Sequence, residues 1–113
     1  MEINQDLVKG NITTIVLNAL RDKDRYGYEI IKSLEDSSNG ILKMKEGTLY
    51  PILHNLEFEG YVISTEKKSD RGRKRKYYKL TKPGLKLLES KKQQWEGLKI
   101  LIDQLIARVS YAK

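Results

Sequence analysis

At 113 residues the chain has room for one domain with a modest core and not for two. Its 22 Lys and Arg outnumber its 15 Asp and Glu, and the resulting net charge of +7 favours an anionic partner, nucleic acid or a membrane surface. The absence of cysteine removes disulfides and thiolate metal sites, and the single histidine, His54, cannot build a metal site alone, so neither a metal nor any other cofactor is expected. No apolar run approaches a membrane span, and "MEINQDLVKG" lacks the basic region and long apolar stretch of a signal peptide, so a cytoplasmic location is the expectation.

From Asp6 to Arg21 the residues Val8, Ile12, Ile15, Val16, Ala19 and Leu20 recur at helical spacing, widened by Leu7 and Leu17, and predict one amphipathic first helix. "RDKDR" is polar enough for a loop. In "YGYEIIKSLEDSSNG", Gly27, Ile30, Ile31 and Leu34 share one side of a second helix, which Asn39 and Gly40 stop. A third helix follows in "GTLYPILHNLEFEGYV", where Leu49, Ile52, Leu53 and Leu56 form the core stripe. Its start is open between Thr48 as N-cap, with Pro51 in the first turn, and a start near Glu46 with Pro51 kinking the helix. Opposite the stripe lie Tyr50, Pro51, His54, Asn55 and Phe58, a face with no charge at all.

Beyond Gly60, "YVISTEKK" and "KYYKL" are β-prone runs around "SDRGRKR", which predicts a hairpin with a basic tip. Thr81 can cap a last, long helix whose opening turn holds Pro83 and Gly84. Within it Leu88, Trp95, Leu98, Ile102, Leu105 and Val109 follow spacings of seven, three, four, three and four, a heptad seam broken only by Lys91, and Leu101 and Ile106 add a second strip. The predicted fold is mainly α with a small β-hairpin: a winged helix-turn-helix over residues 1–80 and a carboxy-terminal dimerisation helix over 81–113, forming one compact unit.

A basic run such as Lys67, Lys68, Arg71, Arg73, Lys74, Arg75 and Lys76, offset only by Asp70, is ordinarily a solvated loop. On a ribbon beside a helix-turn-helix it can instead reach backbone phosphates or a minor groove. With the third helix in a major groove, Thr48, Tyr50, His54 and Asn55 could meet phosphates or base edges, Asn55 as a bidentate reader of adenine and Pro51 as an apolar contact. Phe58 either joins them or packs on a neighbouring element. His54 has no second ligand or nucleophile beside it, and no carboxylate pair or phosphate-binding glycine loop is evident, so catalysis is not expected. Trp95 belongs either to the core or to an interface, and the exposed seam of a long helix favours burial against a second copy.

These segments together resemble the PadR family of bacterial transcriptional regulators in its short form. The resemblance rests on "KGNITTIVLNAL", "YGYEI", "GTLYPILHNLEFEGYV" and "GRKRKYYKLTKPG", which span nearly the whole chain. It implies a dimeric repressor of a duplex operator, contacting DNA through Tyr50, Pro51, Arg73, Arg75, Lys76, Tyr77 and Tyr78, with Lys68 and Arg71 added by their place on the wing. The last helices would be swapped across a two-fold axis. Family members often carry a basic residue where this chain has Asn55 and a polar one at Phe58. Some members bind planar aromatic drugs or phenolic acids, which would place a small aromatic effector against Trp95, Leu98 and Ile102, walled by Val8, Ile12 and Ile15. A competing reading is a winged-helix protein-interaction module that has lost DNA. Membrane-surface binding fits less well, because the basic residues lie on a hairpin and not opposite an apolar helix face.

Overall fold

The computed structural model describes residues 3–111, with side chains as far as Arg108. In chain order the elements are α1 (Gln5–Gly10), α2 (Ile12–Ala19), β1 (Arg25–Tyr26), α3 (Gly27–Ser37), α4 (Glu46–Phe58), β2 (Val62–Lys68), β3 (Lys74–Leu80) and α5 (Lys82–Tyr111). The single first helix expected from periodicity is two. Asn11 leaves the helical region at φ −118° and ψ 9°, and its side-chain amide donates to the Leu7 carbonyl at 2.8 Å. An asparagine that bonds nearby backbone in this way offers the chain an alternative to the helical ladder. α2 then buries Val16, Leu17 and Ala19, whereas α1 buries nothing and leaves Leu7 on the surface.

The expected loop after α2 contains a strand. Arg25 and Tyr26 pair antiparallel with Tyr78 and Tyr77 of β3, so the predicted hairpin is the larger part of a three-stranded sheet ordered β1-β3-β2. Arg25 is also held from behind, its Nε donating to the carbonyl of Ala19 at 2.9 Å. α3 stops where Asn39 and Gly40 take positive φ of 53° and 81°, as their residue types suggest. Of the two open starts for α4, the structure adopts Glu46, with Pro51 inside the helix. The donor Pro51 lacks would have served the carbonyl of Gly47; both residues are exposed, so water can take its place.

One core lies between α2, α3, α4 and the sheet, built on Val16, Leu17, Ile30, Leu49, Leu53 and Val62. Thr81 closes it. Its hydroxyl donates to the Gly60 carbonyl at 2.7 Å and accepts from the Gly84 N–H at 3.1 Å, the N-cap expected for α5. Leu88, expected in the dimer seam, is fully buried in this core. The heptad position was correctly apolar, but α5 still lies on α2 at that point, so Leu88 has no surface to offer a partner.

Further along, α5 leaves the body. Every described residue from Gln93 to Arg108 is exposed. The 30-residue helix is about 45 Å long at 1.5 Å per residue. It stretches the molecule to 66 × 30 × 21 Å with a radius of gyration of 17.0 Å, where a compact chain of this length would have about 13 Å. A three-helix bundle with α4 exposed on one side, a β-ribbon beside it and an added terminal arm is a winged helix-turn-helix.

Candidate nucleic-acid interface

α4 keeps the face opposite its leucines open. Thr48, Tyr50, Pro51, His54, Asn55 and Phe58 are all exposed, Phe58 at 83%, so it packs on no neighbouring element of the chain. Tyr50 is the least free of them. A Cβ on Gly27 would stand 2.5 Å from its Oη, so the phenol rests on the first turn of α3 and a larger residue there would push it aside. Partial burial, with the Glu46 carboxylate as a lesser cause, holds that phenol above its ordinary pKa and keeps it a neutral donor.

The hairpin register runs from Val62 opposite Leu80 to Lys68 opposite Lys74. This distributes the basic run differently from the expected tip. Arg71 and Arg73 lie in the connecting turn, closed by the Ser69 N–H donating to the Arg73 carbonyl at 2.8 Å and opened by Gly72 at φ 79°. Lys68 and Lys74 flank it, while Arg75 and Lys76 stand further down β3 and, by the alternation of a strand, on opposite faces. Arg75 lies over the Tyr26 ring with 4.5 Å to the centroid, and Lys67 over Tyr77 at 4.8 Å. Tyr26 meets Tyr77 edge-on at 5.3 Å. Lys76 faces α4, 3.4 Å from a carboxylate oxygen of Glu57. Tyr78, which the family resemblance placed among the DNA contacts, is buried in the core at 5% exposure and cannot serve there.

Two like-charge pairs stand directly across the ribbon, Lys67 opposite Arg75 and Lys68 opposite Lys74. Like charges directly opposite each other destabilise a free sheet. Asp24, 4.0 Å from Lys67, offsets the first pair in part, the second has no ion-pair partner among the described residues, and a polyanion laid along both reverses the sign. Positive charge also continues past the amino end of α4. Lys9, Lys43 and Lys45 border a groove of about 310 Å³ there, together with Thr48 and Ile12. In the sequence Lys43 and Lys45 are inconspicuous, because the scattered "LKMK" before α4 carries no periodic signal.

The residues expected around an effector are only partly together. Trp95, Val8 and Ile15 line one open groove of about 750 Å³, joined by Ile3, Leu7 and Asn18. Ile12 turns away to the core and the α4 groove. Leu98 and Ile102 stand exposed further along α5, as does Leu105. The side chain of Val109 lies outside the described residues. Among the described residues no cluster of His, Asp and Glu could hold a metal ion, and no helix is long and apolar enough to cross a membrane.

An exposed uncharged helix face beside a cationic ribbon on a winged helix-turn-helix defines a DNA-binding regulator. The chain belongs to the transcriptional regulator PadR-like family, whose model it matches over residues 16–90. Among solved structures it is similar to a transcriptional regulator from Clostridium thermocellum, with TM-score 0.82 and 34% identity over 90% of this chain and 96% of that one. It is also similar to a PadR-like transcriptional regulator from Bacillus cereus, with TM-score 0.76 and 32% identity over 89% of this chain and 96% of that one. Among curated proteins it is 30% identical to the transcriptional regulator YqjI of Escherichia coli over 77% of its own length, spanning 40% of that larger protein. An uncharacterized protein of Lysinibacillus sphaericus is 33% identical over 89% of this chain and 93% of its own. The chain is therefore a transcriptional regulator of a DNA-binding class and not an enzyme.

Proposed function

We propose that the chain is a homodimeric repressor that binds a palindromic operator and is relieved by a small aromatic ligand. The observation that carries the DNA reading is the pair of like-charge matches across the ribbon, Lys67 with Arg75 and Lys68 with Lys74, standing beside the uncharged face of α4. An uncharged docking partner would leave that repulsion in place, whereas a polyanion relieves it. In this reading Asn55 and His54 meet base edges, Thr48, Tyr50 and Pro51 pack along the groove wall, and Lys68, Arg71, Arg73, Arg75, Lys76 and Tyr77 follow the backbone.

Residues 1–80 with the opening turns of α5 form the DNA-binding unit, and the remainder of 81–113 pairs two copies. Support for pairing comes from Trp95, Leu98, Ile102 and Leu105, about half exposed on a helix that has left its own core. A contiguous apolar strip of that kind is normally covered, and a two-fold axis covers it with itself. The groove beside Trp95 is open on one side in a single chain, and a second copy would turn it into a walled site for a flat apolar ligand.

The test is fluorescence anisotropy of duplex DNA from the chain's own upstream region, titrated at rising salt, with sedimentation of the free protein. We expect a dimer and a log K that falls by about 0.9 per phosphate contact for each unit of log salt. Salt-independent binding, or a monomer that binds as well as the dimer, would overturn the reading.

A further inference from the structure

Among the described residues Lys76 is the wing cation held by a carboxylate of α4. Its Nζ lies 3.4 Å from Glu57 Oε1. The other oxygen of Glu57 accepts a short hydrogen bond from the Ser64 hydroxyl on β2. One carboxylate therefore ties α4 to both strands of the wing. Lys67 pairs with Asp24 behind the sheet, whereas Lys68, Arg71, Arg73, Lys74 and Arg75 form no ion pair among the described residues. The Ser64 hydrogen bond, and after it Lys76, hold the Glu57 carboxyl below the ordinary carboxylate range, so it stays ionised at neutral pH.

A carboxylate here is costly for a protein whose partner is a polyanion. A glutamine amide oxygen can still accept from the Ser64 hydroxyl, more weakly than the carboxylate does, so the hydrogen bond itself does not require the charge. What the charge does is occupy Lys76. We propose that Glu57 is a specificity-determining residue, a built-in competitor that keeps Lys76 from any phosphate until operator binding seats α4 deeply enough to present one to it. The inference rests on the DNA reading above. DNA of arbitrary sequence meets the ribbon through its free cations, Arg71 and Arg73 foremost, and leaves the Glu57–Lys76 pair intact. On the operator, base contacts by α4 bring the backbone into the crevice between helix and wing, and Lys76 exchanges Glu57 for phosphate while Ser64 retains the carboxylate. Non-specific affinity is thereby lowered more than specific affinity, and the ratio of the two is what locates a site among many.

The test uses the full chain as wild type, E57Q, K76Q and the double variant, with E59Q as control. Glu59 is exposed on the same end of α4 and forms no ion pair among the described residues. Binding to random-sequence duplex and to the upstream-region duplex is measured across a salt series. We expect E57Q to raise non-specific affinity about two- to fivefold, the scale of releasing one exposed ion pair, and to steepen its salt slope by about 0.9, one further phosphate contact. Operator affinity should rise less, and thermal stability should fall only slightly, because glutamine keeps a weaker Ser64 hydrogen bond and loses one exposed ion pair. In the K76Q background the same change should do no more than E59Q does. Three results would overturn the proposal: an unchanged non-specific slope, an E57Q protein weaker on both DNAs, or an E57Q effect that persists undiminished without Lys76. A wild type that bound no duplex in a salt-dependent way would instead remove the DNA reading and this inference with it.

Discussion

Two glycines on the same helix show how much of a residue's role lies in what stands beside it. A Cβ on Gly84 would sit 1.9 Å from the backbone oxygen of Tyr61, an obstacle no rotamer change can move, whereas Gly97 has nothing within 4 Å. Gly84→Ala should lower stability by about 1–3 kcal/mol despite alanine's better helix propensity. Gly97→Ala should raise it by about 0.5–1 kcal/mol, since the exposed helix gains propensity and loses nothing. Denaturant midpoints at unchanged slope would read both, and shifts of the same sign would contradict the packing described. Function divides at this scale too. Asn55→Ala should relax discrimination at one base position by about 1–3 kcal/mol, as a lost bidentate contact does. Arg71→Ala with Arg73→Ala should weaken all sequences alike, because turn residues meet backbone. A competition series over single-base operator variants separates the two outcomes, and a wing variant with altered sequence preference would reverse the assignment. Arg75 is the poorer choice for that test, since its stacking on Tyr26 mixes structure with contact.

At the scale of elements the question is where α5 changes allegiance. Its first turns belong to the winged domain through Gly84 and the fully buried Leu88, and Arg21 of the α2 side reaches Glu89 at 3.3 Å. Beyond Lys92 the described residues contribute nothing to the core. A chain ending at Lys92 should fold and remain monomeric, with a cooperative thermal transition and a single light species in sedimentation. Ending at Pro83 removes Leu88 and leaves its space in the core open; losses of about 2–5 kcal/mol for such a side chain are a large part of the 5–15 kcal/mol that holds a domain. That shorter chain should not give a cooperative transition. A dimer from the Lys92 chain would place the interface elsewhere.

For the whole molecule, regulation would arise from joining the arm to the reading head. The groove at Trp95 is walled by α1 and α2, and α2 also packs in the core that carries α4. A ligand there can alter DNA affinity only by as much as its own affinity differs between free and DNA-bound protein. Planar aromatic compounds titrated against the wild-type protein should quench Trp95 fluorescence, and Trp95→Ala, compared at a concentration where sedimentation shows it dimeric, should lose that binding by calorimetry. An alanine variant that binds unchanged would reduce Trp95 to interface packing.

By itself the sequence determined what periodicity and local chemistry can express. The leucine stripe of α4 and its uncharged opposite face, the stop at Asn39 and Gly40, the Thr81 cap, the cationic hairpin and the motifs of the family were all legible there, because each depends on residues a few positions apart. Tertiary structure alone decided what covers each surface. β1 is two residues long and has no pattern of its own; pairing with β3 makes it a strand. α1 and α2 carry one continuous stripe, and the break at Asn11 separates the half that is buried from the half that is not. Leu88 and Trp95 occupy equivalent seam positions, yet one is sealed in the chain's own core and the other stands exposed. A hydrophobic spacing says that a face will be covered and is silent on by what. The same holds for charge: nothing near Glu57 in the sequence reveals that Lys76, nineteen residues later, comes to rest against it.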